Sequence, residues 1–291
     1  MLLSRKDIFR FFLASRPTNI AIAVTVLAFS AYVSGLGTLQ FIGDPKFYLQ
    51  ASAMAAIMAG GYWINDVFDH KIDRINKPDK TIVGTKLSTK KTLTGYWAVS
   101  AFAVLLTLSL PYKFWMTNVG AMAALFVYAA ILKRYAVWGN MTIAALTALP
   151  VVVGAMLYHF KPPHLWAAVF AFWVNLIREI VKDVEDIKGD LAHGLQTLPV
   201  KIGLRSTKKF LLAAYVILLI HLPAPALFYY YWAELWVYNY LILALALLVP
   251  VWGLCVKSLM FAVKPVDYKR QSRLLKLMMA LGLLILFTLP I

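Results

Sequence analysis

Residues 210–231 read FLLAAYVILLIHLPAPALFYYY and contain no Asp, Glu, Lys or Arg. A run of this length and composition is long enough to cross the hydrocarbon core of a bilayer as an α-helix. Eight further apolar runs occur along the chain, at residues 20–39, 47–64, 94–110, 114–132, 141–160, 165–181, 235–256 and 274–289. The sequence therefore predicts an all-α, polytopic membrane protein with nine transmembrane helices.

The composition of the whole chain supports the same class. Hydrophobic residues make up 62% of the 291 residues and charged residues only 14%, whereas a soluble domain carries about a quarter charged residues. The apolar runs lack the two-residue alternation of a membrane β-barrel. The single cysteine, Cys255, has no partner for an internal disulfide. These observations exclude a soluble domain, a barrel and a disulfide scaffold.

The basic residues are distributed unequally between the two predicted sides of the membrane. If all nine runs cross it, only Lys46, Lys113 and Lys161 of the 29 Lys and Arg residues lie on the side opposite the N-terminus. The positive-inside rule then predicts a cytoplasmic N-terminus and an outside C-terminus at Ile291 in the cell membrane. We interpret the net charge of +16 as topology and attraction to anionic lipid, and expect no nucleic acid and no obligate protein partner.

Most of the acidic residues fall into two clusters, each following a predicted membrane helix. Both clusters contain the spacing Asp-x-x-Asp-x-x-x-Asp, at Asp66, Asp69 and Asp73 and again at Asp183, Asp186 and Asp190. If the helices continue through these motifs, residues at i, i+3 and i+7 lie on one helix face. Each motif is therefore expected to present a column of three carboxylates.

Carboxylates that repel one another at the end of a membrane helix indicate a cation site. A solvated helix end neutralised by nearby Lys and Arg would explain one such cluster, but an identical spacing after two helices favours metal binding. Oxygen ligands favour Mg²⁺, which proteins hold through one or two carboxylates and substrate phosphates. Basic residues between the acids would bind phosphate oxygens. We therefore expect two facing columns that bind a diphosphate through Mg²⁺, beside an apolar cavity.

Both acidic stretches resemble known signatures. Residues 65–73, NDVFDHKID, and 183–190, DVEDIKGD, resemble the two aspartate-rich signatures of the UbiA superfamily of intramembrane prenyltransferases. The resemblance extends to several flanking stretches, namely Arg16-Pro17-Thr18-Asn19, Tyr128 with Leu132-Lys133-Arg134, Gly139-Asn140 and Thr197-Leu198-Pro199-Val200. It implies a single intramembrane prenyltransferase domain over residues 1–291, in which nine helices form a bundle around a central cavity.

The resemblance also implies an activity and the roles of individual residues. The activity is Mg²⁺-dependent transfer of a prenyl group from an allylic diphosphate to a lipophilic acceptor. The implied catalytic carboxylates are Asp69, Asp73, Asp186 and Asp190. The implied metal ligands are Asn65, Asp66, Asp69, Asp73, Asp183, Asp186 and Asp190. The implied substrate-binding residues are Asn19, Arg74, Lys77, Tyr128, Lys133 and Lys182.

The identity of the acceptor depends on finer similarities. Asn76-Lys77-Pro78 and residues 178–183, REIVKD, resemble the digeranylgeranylglyceryl phosphate synthase group, which implies the hydroxyl of a prenylglyceryl phosphate and ether lipid synthesis. An aromatic acceptor of quinone or pigment biosynthesis is the alternative, because homogentisate and chlorophyll enzymes share the Asn-Lys-Pro form. Residues 80–85, KTIVGT, also depart from the Arg-Pro-Ile-Pro-Ser-Gly usual in the first group. A cation transporter is a third alternative, but the centres of the apolar runs lack the charges that transport usually requires.

Overall fold

The computed structural model describes residues 4–35, 39–286 and 288–290. The chain is 84% helical and contains no β-strand within these residues, so the predicted all-α class is confirmed. Residues 36–38 of the first predicted run, and the C-terminal Ile291, lie outside the described residues. The chain divides into two compact units, and each is described by itself.

The first unit comprises residues 1–133 and 153–159. Its helices are α1 (Arg5–Ala14), α2 (Pro17–Ser34), α3 (Pro45–Asn76), α4 (Thr89–Leu108) and α5 (Tyr112–Ala130), with a short 3₁₀ helix at Leu39–Gly43. The next helix, α6 (Trp138–Leu157), contributes its last turns to this unit. Helix α3 packs against α2, α4 and α5, so the first acidic signature lies at the end of the central helix.

Helix α3 is 32 residues long and continues well beyond the predicted apolar run. At its start the Asp44 side chain accepts a hydrogen bond from the backbone N–H of Lys46, which satisfies one of the exposed amides of the first turn. At its end Lys77 leaves the helical conformation, with φ −143°, because it precedes Pro78. The first signature therefore lies on one continuous helix, as predicted.

A buried polar cluster joins three helices of the first unit. Gln50 of α3 and Asn118 of α5 exchange two hydrogen bonds of 3.0 Å, and Asn118 also donates to Thr107 of α4 at 3.1 Å. All three side chains are almost fully buried. Polar groups in an apolar environment are stabilised only when paired, so this cluster fixes the register of α3, α4 and α5.

The second unit comprises residues 134–152 and 160–291. Its further helices are α7 (Pro162–Glu185), α8 (Ile187–Ala192), α9 (Leu198–His221), α10 (Ala224–Ala233), α11 (Tyr238–Leu243), α12 (Val249–Phe261) and α13 (Tyr268–Leu286), with a π-helical turn at Ala244–Leu248. Helix α7 packs against α9 and α13. Fully buried aliphatic side chains form the core of this unit, among them Ile177, Ile180, Leu211, Leu218 and Leu275.

Two predicted features of the second unit are corrected by the structure. The run at residues 210–231 is not one helix, because α9 ends at His221 and α10 begins at Ala224, where Pro223 and Pro225 cannot donate helical hydrogen bonds. The second acidic signature is not on one uninterrupted helix either. Asp186 separates α7 from α8, with φ −95° and ψ 5°, a sparsely allowed conformation that occurs often in active sites.

Six helical segments of the described residues are long and apolar enough to cross a membrane. They are Pro17–Ser34, Thr89–Leu108, Trp138–Leu157, Pro162–Glu185, Leu198–Ala233 and Tyr238–Phe261. The other predicted runs coincide with α3, α5 and α13, which are helical but carry more polar, small or basic residues. The structure therefore supports a membrane protein with several spanning helices.

Candidate active site

The first signature centres on the carboxylate of Asp69, which is 9% exposed. Its Oδ2 atom accepts a hydrogen bond of 2.8 Å from Asn65, one helical turn earlier on α3. Its Oδ1 atom forms an ion pair with the ammonium group of Lys133, which lies in the 3₁₀ helix Leu132–Arg134 that follows α5. Two segments far apart in sequence thus bring together three of the predicted site residues.

The amide oxygen of Asn65 is available to a ligand. Its Oδ1 atom is buried and has no hydrogen-bond partner among the described residues, and a buried acceptor without a partner is costly. Amide and carboxylate oxygens are the ligands that Mg²⁺ prefers. The Asn65 and Asp69 side chains therefore fit a hard divalent cation.

The described residues contain no group of three or more His, Cys, Asp or Glu side chains close enough to hold a metal ion by themselves. The three carboxylates of each predicted column therefore do not form a complete metal site by themselves within the described residues. Mg²⁺ is commonly bound through only one or two carboxylates, with water or substrate phosphate in its other ligand positions.

Asp66 forms an ion pair with Arg16. The Arg16 guanidinium group donates to Asp66 Oδ1 at 2.8 Å and lies over the Tyr62 ring, 4.6 Å from its centroid. The Tyr62 hydroxyl group accepts a hydrogen bond of 3.2 Å from Asn19. Asn19 and Asp66 were predicted site residues, whereas Tyr62 was missed. Its only sequence signal is its position one helical turn before Asp66.

Arg16 holds an unusual backbone conformation at the start of α2. Its φ angle is 53°, in the left-handed region that residues other than glycine rarely adopt. Such a conformation costs free energy and persists where surrounding contacts determine it. The Arg16 side chain contacts Asp66 and Tyr62. These contacts with α3, in and just before the first signature, determine the backbone conformation at the start of α2.

Asp66 lies beyond the apolar run that ends at Ile64, yet it is largely removed from water. Burial raises the pKa of Asp66 to about 6, while the neighbouring Arg16 cation opposes that increase. The carboxylate of Asp73 raises the pKa further, and Lys133 lowers it. The two nearby cations therefore offset only part of the cost of burying the Asp66 carboxylate.

Other predicted residues of the first unit have structural contacts. Tyr128 packs against a buried cluster that contains Ile64 and Tyr96. Arg74 donates a hydrogen bond to the carbonyl oxygen of Gly84, and the carbonyl oxygen of Lys77 accepts one of 2.9 Å from the Thr81 side chain. Arg74 and the Lys77 backbone therefore brace the loop after the first signature.

In the second signature, neutral side chains orient two carboxylates. Asn140 of α6 donates to Asp183 Oδ2 at 2.8 Å, and Thr197 donates to Asp190 Oδ2 at 2.9 Å. Asn140 and Asp190 are 8% and 6% exposed. Asn140 and Thr197 belong to the flanking stretches that resemble the family, and the sequence alone indicates no role for them in the site.

One helical turn before Asp183, a third acid is paired with two cations. The Glu179 carboxylate accepts from Arg178 at 3.0 Å and from Lys182 at 2.7 Å. Lys182 was a predicted substrate-binding residue, whereas Arg178 and Glu179 were not assigned to the site. Glu179 is one acid of the second acidic cluster, and Arg178 lies directly before it in the sequence.

Comparison with known proteins identifies the family of this chain. Residues 13–259 match the model of the UbiA prenyltransferase family. A digeranylgeranylglyceryl phosphate synthase of Metallosphaera sedula is 33% identical over 68% of this chain and 70% of its own length. The corresponding synthase of Methanoregula boonei is 35% identical over 76% of this chain and 77% of its own.

Solved structures share the fold. A structure of digeranylgeranylglyceryl phosphate synthase in membranes covers 99% of both chains, with a TM-score of 0.75 and 24% identity. A UbiA homolog from Archaeoglobus fulgidus bound to DMAPP and Mg²⁺ covers 96% of this chain, with a TM-score of 0.59 and 18% identity. The family match spans most of the chain and includes both acidic signatures. This integral membrane protein therefore belongs to the UbiA prenyltransferase family.

Proposed function

We propose that this enzyme transfers a prenyl group from an allylic diphosphate to the hydroxyl group of a prenylglyceryl phosphate, forming an ether lipid. The observation that carries the reaction class is the partly buried group of Asn65, Asp69 and Lys133, which offers oxygen ligands and a cation at one point. The acceptor is supported by the synthases that are 33% and 35% identical over more than two thirds of the chain.

The reaction needs a leaving diphosphate and an acceptor oxygen. The bond between the allylic carbon and the diphosphate oxygen breaks, and its electron pair leaves with the diphosphate. The acceptor oxygen bonds to the same carbon and loses its proton, so the products are an ether, diphosphate and a proton. Bound Mg²⁺ supplies charge that stabilises the leaving diphosphate.

The residues of the first signature would act as follows. Asn65, Asp69 and Asp73 hold Mg²⁺ through oxygen atoms, and Lys133 donates to a diphosphate oxygen. Asp66 belongs to the same site and forms an ion pair with Arg16. Ammonium and guanidinium groups suit phosphate oxygens that the metal leaves uncovered.

The residues of the second signature have the corresponding role. Asp183, Asp186 and Asp190 are the proposed ligands for Mg²⁺ that carries the same diphosphate. Asn140 and Thr197 support this assignment because their hydrogen bonds hold the Asp183 and Asp190 carboxylates in fixed orientations. Hydrogen bonds of this type orient metal ligands without neutralising their charge.

The remaining proposed residues contact the substrates and do not bind the metal. They are Asn19, Arg74, Lys77, Tyr128 and Lys182. Asn19 is supported by its hydrogen bond to Tyr62, the ring beneath Arg16. Tyr128 is supported by its place beside the apolar cluster of Ile64 and Tyr96, since an allylic chain needs an apolar surface.

We also propose a topology and a domain organisation. All 291 residues act as one prenyltransferase domain with nine membrane spans arranged around a central cavity, a cytoplasmic N-terminus and an outside C-terminus. The distribution of Lys and Arg along the sequence supports the orientation, because basic residues are retained on the cytoplasmic side.

The test is a reaction panel with purified protein in lipid. The protein is incubated with Mg²⁺, allylic diphosphates of several lengths, and three acceptor types: a prenylglyceryl phosphate, 4-hydroxybenzoate and homogentisate. Mass analysis of the lipid products should find a prenyl ether of the glyceryl phosphate, and EDTA should prevent its formation. Prenylation of an aromatic acceptor alone would contradict the proposed acceptor, and no product with any acceptor would contradict the proposed reaction.

A further inference from the structure

The charged cluster of Arg178, Glu179 and Lys182 on α7 has no role in the mechanism described above beyond a general substrate contact by Lys182. Glu179 is 7% exposed, and each of its carboxylate oxygens accepts from a different cation. Arg178 Nη1 lies 3.0 Å from Oε1, and Lys182 Nζ lies 2.7 Å from Oε2. The cluster therefore carries two positive charges and one negative charge.

Glu179 holds both cations in place. A buried carboxylate is stable only when its oxygens have partners, and the two ion pairs supply one partner to each oxygen. The two cations outnumber the carboxylate that holds them, and the neighbouring acid Asp183 is a proposed metal ligand. An anionic ligand would balance the cation that Glu179 alone does not neutralise.

Both cations keep unused donors. The Nε atom of Arg178 is buried and has no hydrogen-bond partner in the part of the chain that the structure describes. The Lys182 side chain is 34% exposed, so its ammonium group can reach a ligand while still bonded to Glu179. Arg and Lys donors held on one carboxylate present N–H groups at fixed positions, and such groups suit a phosphate monoester.

Arg178 and Glu179 lie about one helical turn before the proposed metal ligand Asp183, and Lys182 lies directly before it. Glu179 lies four residues before Asp183, which corresponds to about 6 Å along the helix axis, towards the apolar part of α7. The diphosphate is proposed to bind through Mg²⁺ held by carboxylates together with Lys133, whereas both carboxylate oxygens of this cluster are bonded to its own cations. It therefore suits an anion that binds directly to protein cations.

We infer that Arg178 and Lys182 bind the phosphate group of the acceptor, and that Glu179 is a positioning residue that holds both cations. This inference rests on the proposed function, in which the donor carries the reacting diphosphate and the acceptor carries a separate phosphate group. It adds Arg178 and Glu179 to the site and assigns Lys182 to the acceptor. The pair then distinguishes a phosphorylated acceptor from an aromatic one.

The test compares two acceptors that differ only in phosphate, a prenylglyceryl phosphate and the corresponding prenylglycerol. Lys182→Gln and Arg178→Gln should each raise the KM for the phosphorylated acceptor about tenfold or more, as expected for loss of a charged hydrogen bond. The KM for the allylic diphosphate should stay within about twofold, and the preference for the phosphorylated acceptor should fall.

Glu179→Gln tests the positioning role. It keeps the shape of the side chain and should raise the acceptor KM with little change in kcat, and Glu179→Asp should recover part of the affinity. A purely structural role would alter both substrates and the amount of folded protein together. Lys209→Gln, an exposed basic residue on α9, is the matched control and should change neither KM.

Three outcomes would overturn the inference. An increase in the KM of the diphosphate rather than the acceptor would assign the cluster to the donor. Equal effects on the phosphorylated and unphosphorylated acceptors would exclude phosphate recognition. Failure of the unmodified protein to use any glyceryl phosphate would overturn the proposed function and this inference together. That result is seen without any variant, so it is distinguishable from the two results that overturn this inference alone.

Discussion

Asn140 donates a hydrogen bond to Asp183 at 2.8 Å, so an uncharged amide orients a carboxylate of the second signature. The amide is itself buried, at 8% exposed, and is held by helix α6. A neutral donor fixes the carboxylate without cancelling its charge, which leaves that charge available to a cation.

Replacing Asn140 should weaken the response of the enzyme to Mg²⁺. Loss of a partner that orients a metal ligand typically costs about 10-fold to 100-fold in metal affinity or activity. We expect Asn140→Ala to shift the Mg²⁺ titration of the reaction rate to higher concentration by at least about tenfold. The matched control is Asn175→Ala, which removes a hydrogen bond of 2.9 Å to Thr147 and should lower thermal stability without shifting that titration. Identical titrations for Asn140→Ala and unmodified protein would remove Asn140 from the site.

Arg16 should matter for activity more than for stability. Its side chain is 42% exposed, and ion pairs this accessible contribute little to the free energy of unfolding. Arg16→Gln removes the cation beside Asp66 and should lower kcat/KM about tenfold with a small change in melting temperature. Arg10→Gln, which removes a 3.6 Å pair with Asp7, should leave kcat/KM unchanged. Equal activity of these two variants would show that the Arg16 contact is only structural.

Gly154 allows a close contact within the first unit. A Cβ atom there would lie 2.4 Å from the Ser30 Cβ and 2.9 Å from the Leu27 carbonyl oxygen. Since the backbone cannot easily move away, Gly154→Ala should destabilise the protein by about 1–3 kcal/mol. Gly120→Ala is the control, because nothing lies within 4 Å of the added atom. Thermal unfolding in the same detergent should separate the two variants, and equal melting temperatures would contradict the packing described.

The proposed orientation can be tested by cysteine labelling in intact cells. Lys86 and Lys201 are exposed and are expected on the cytoplasmic side, whereas Lys46 is expected outside. An impermeant maleimide should therefore label Lys46→Cys in intact cells and label Lys86→Cys and Lys201→Cys only after the membrane is opened. The native Cys255 is buried, so the parent protein measures the background. Labelling of Lys86→Cys or Lys201→Cys from outside would invert the topology.

The apolar runs in the sequence predict where helices occur, but they do not predict where the helices end. The run at residues 47–64 stops at the last apolar residue, yet α3 continues to Asn76, because no helix-breaking residue occurs before Pro78. The run at residues 210–231 conceals a break at Pro223, since hydropathy does not register a missing backbone donor. Helix α1 was not predicted, because its short amphipathic sequence is not a membrane span.

The candidate site was predictable in its residue types but not in its pairings. The repeated Asp spacing identified Asp69 and Asp183, and family resemblance added Asn65 and Lys133. Spacing along one helix could not reveal that Lys133 pairs with Asp69, because that contact joins segments far apart in sequence. The role of Glu179 could not be predicted for a related reason. The sequence shows Glu179 only as one acid of the second cluster, and its contacts with Arg178 and Lys182 are evident only from the structure.

The central claim is that both acidic signatures serve one Mg²⁺-dependent prenyl transfer. The most direct measurement compares the rate of product formation by the unmodified protein, Asp69→Asn and Asp186→Asn, with melting temperatures recorded on the same preparations. We expect the unmodified protein to form the prenyl ether only with Mg²⁺, and both variants to remain folded and inactive at every Mg²⁺ concentration. Turnover by either folded variant at a rate close to that of the unmodified protein would contradict the account.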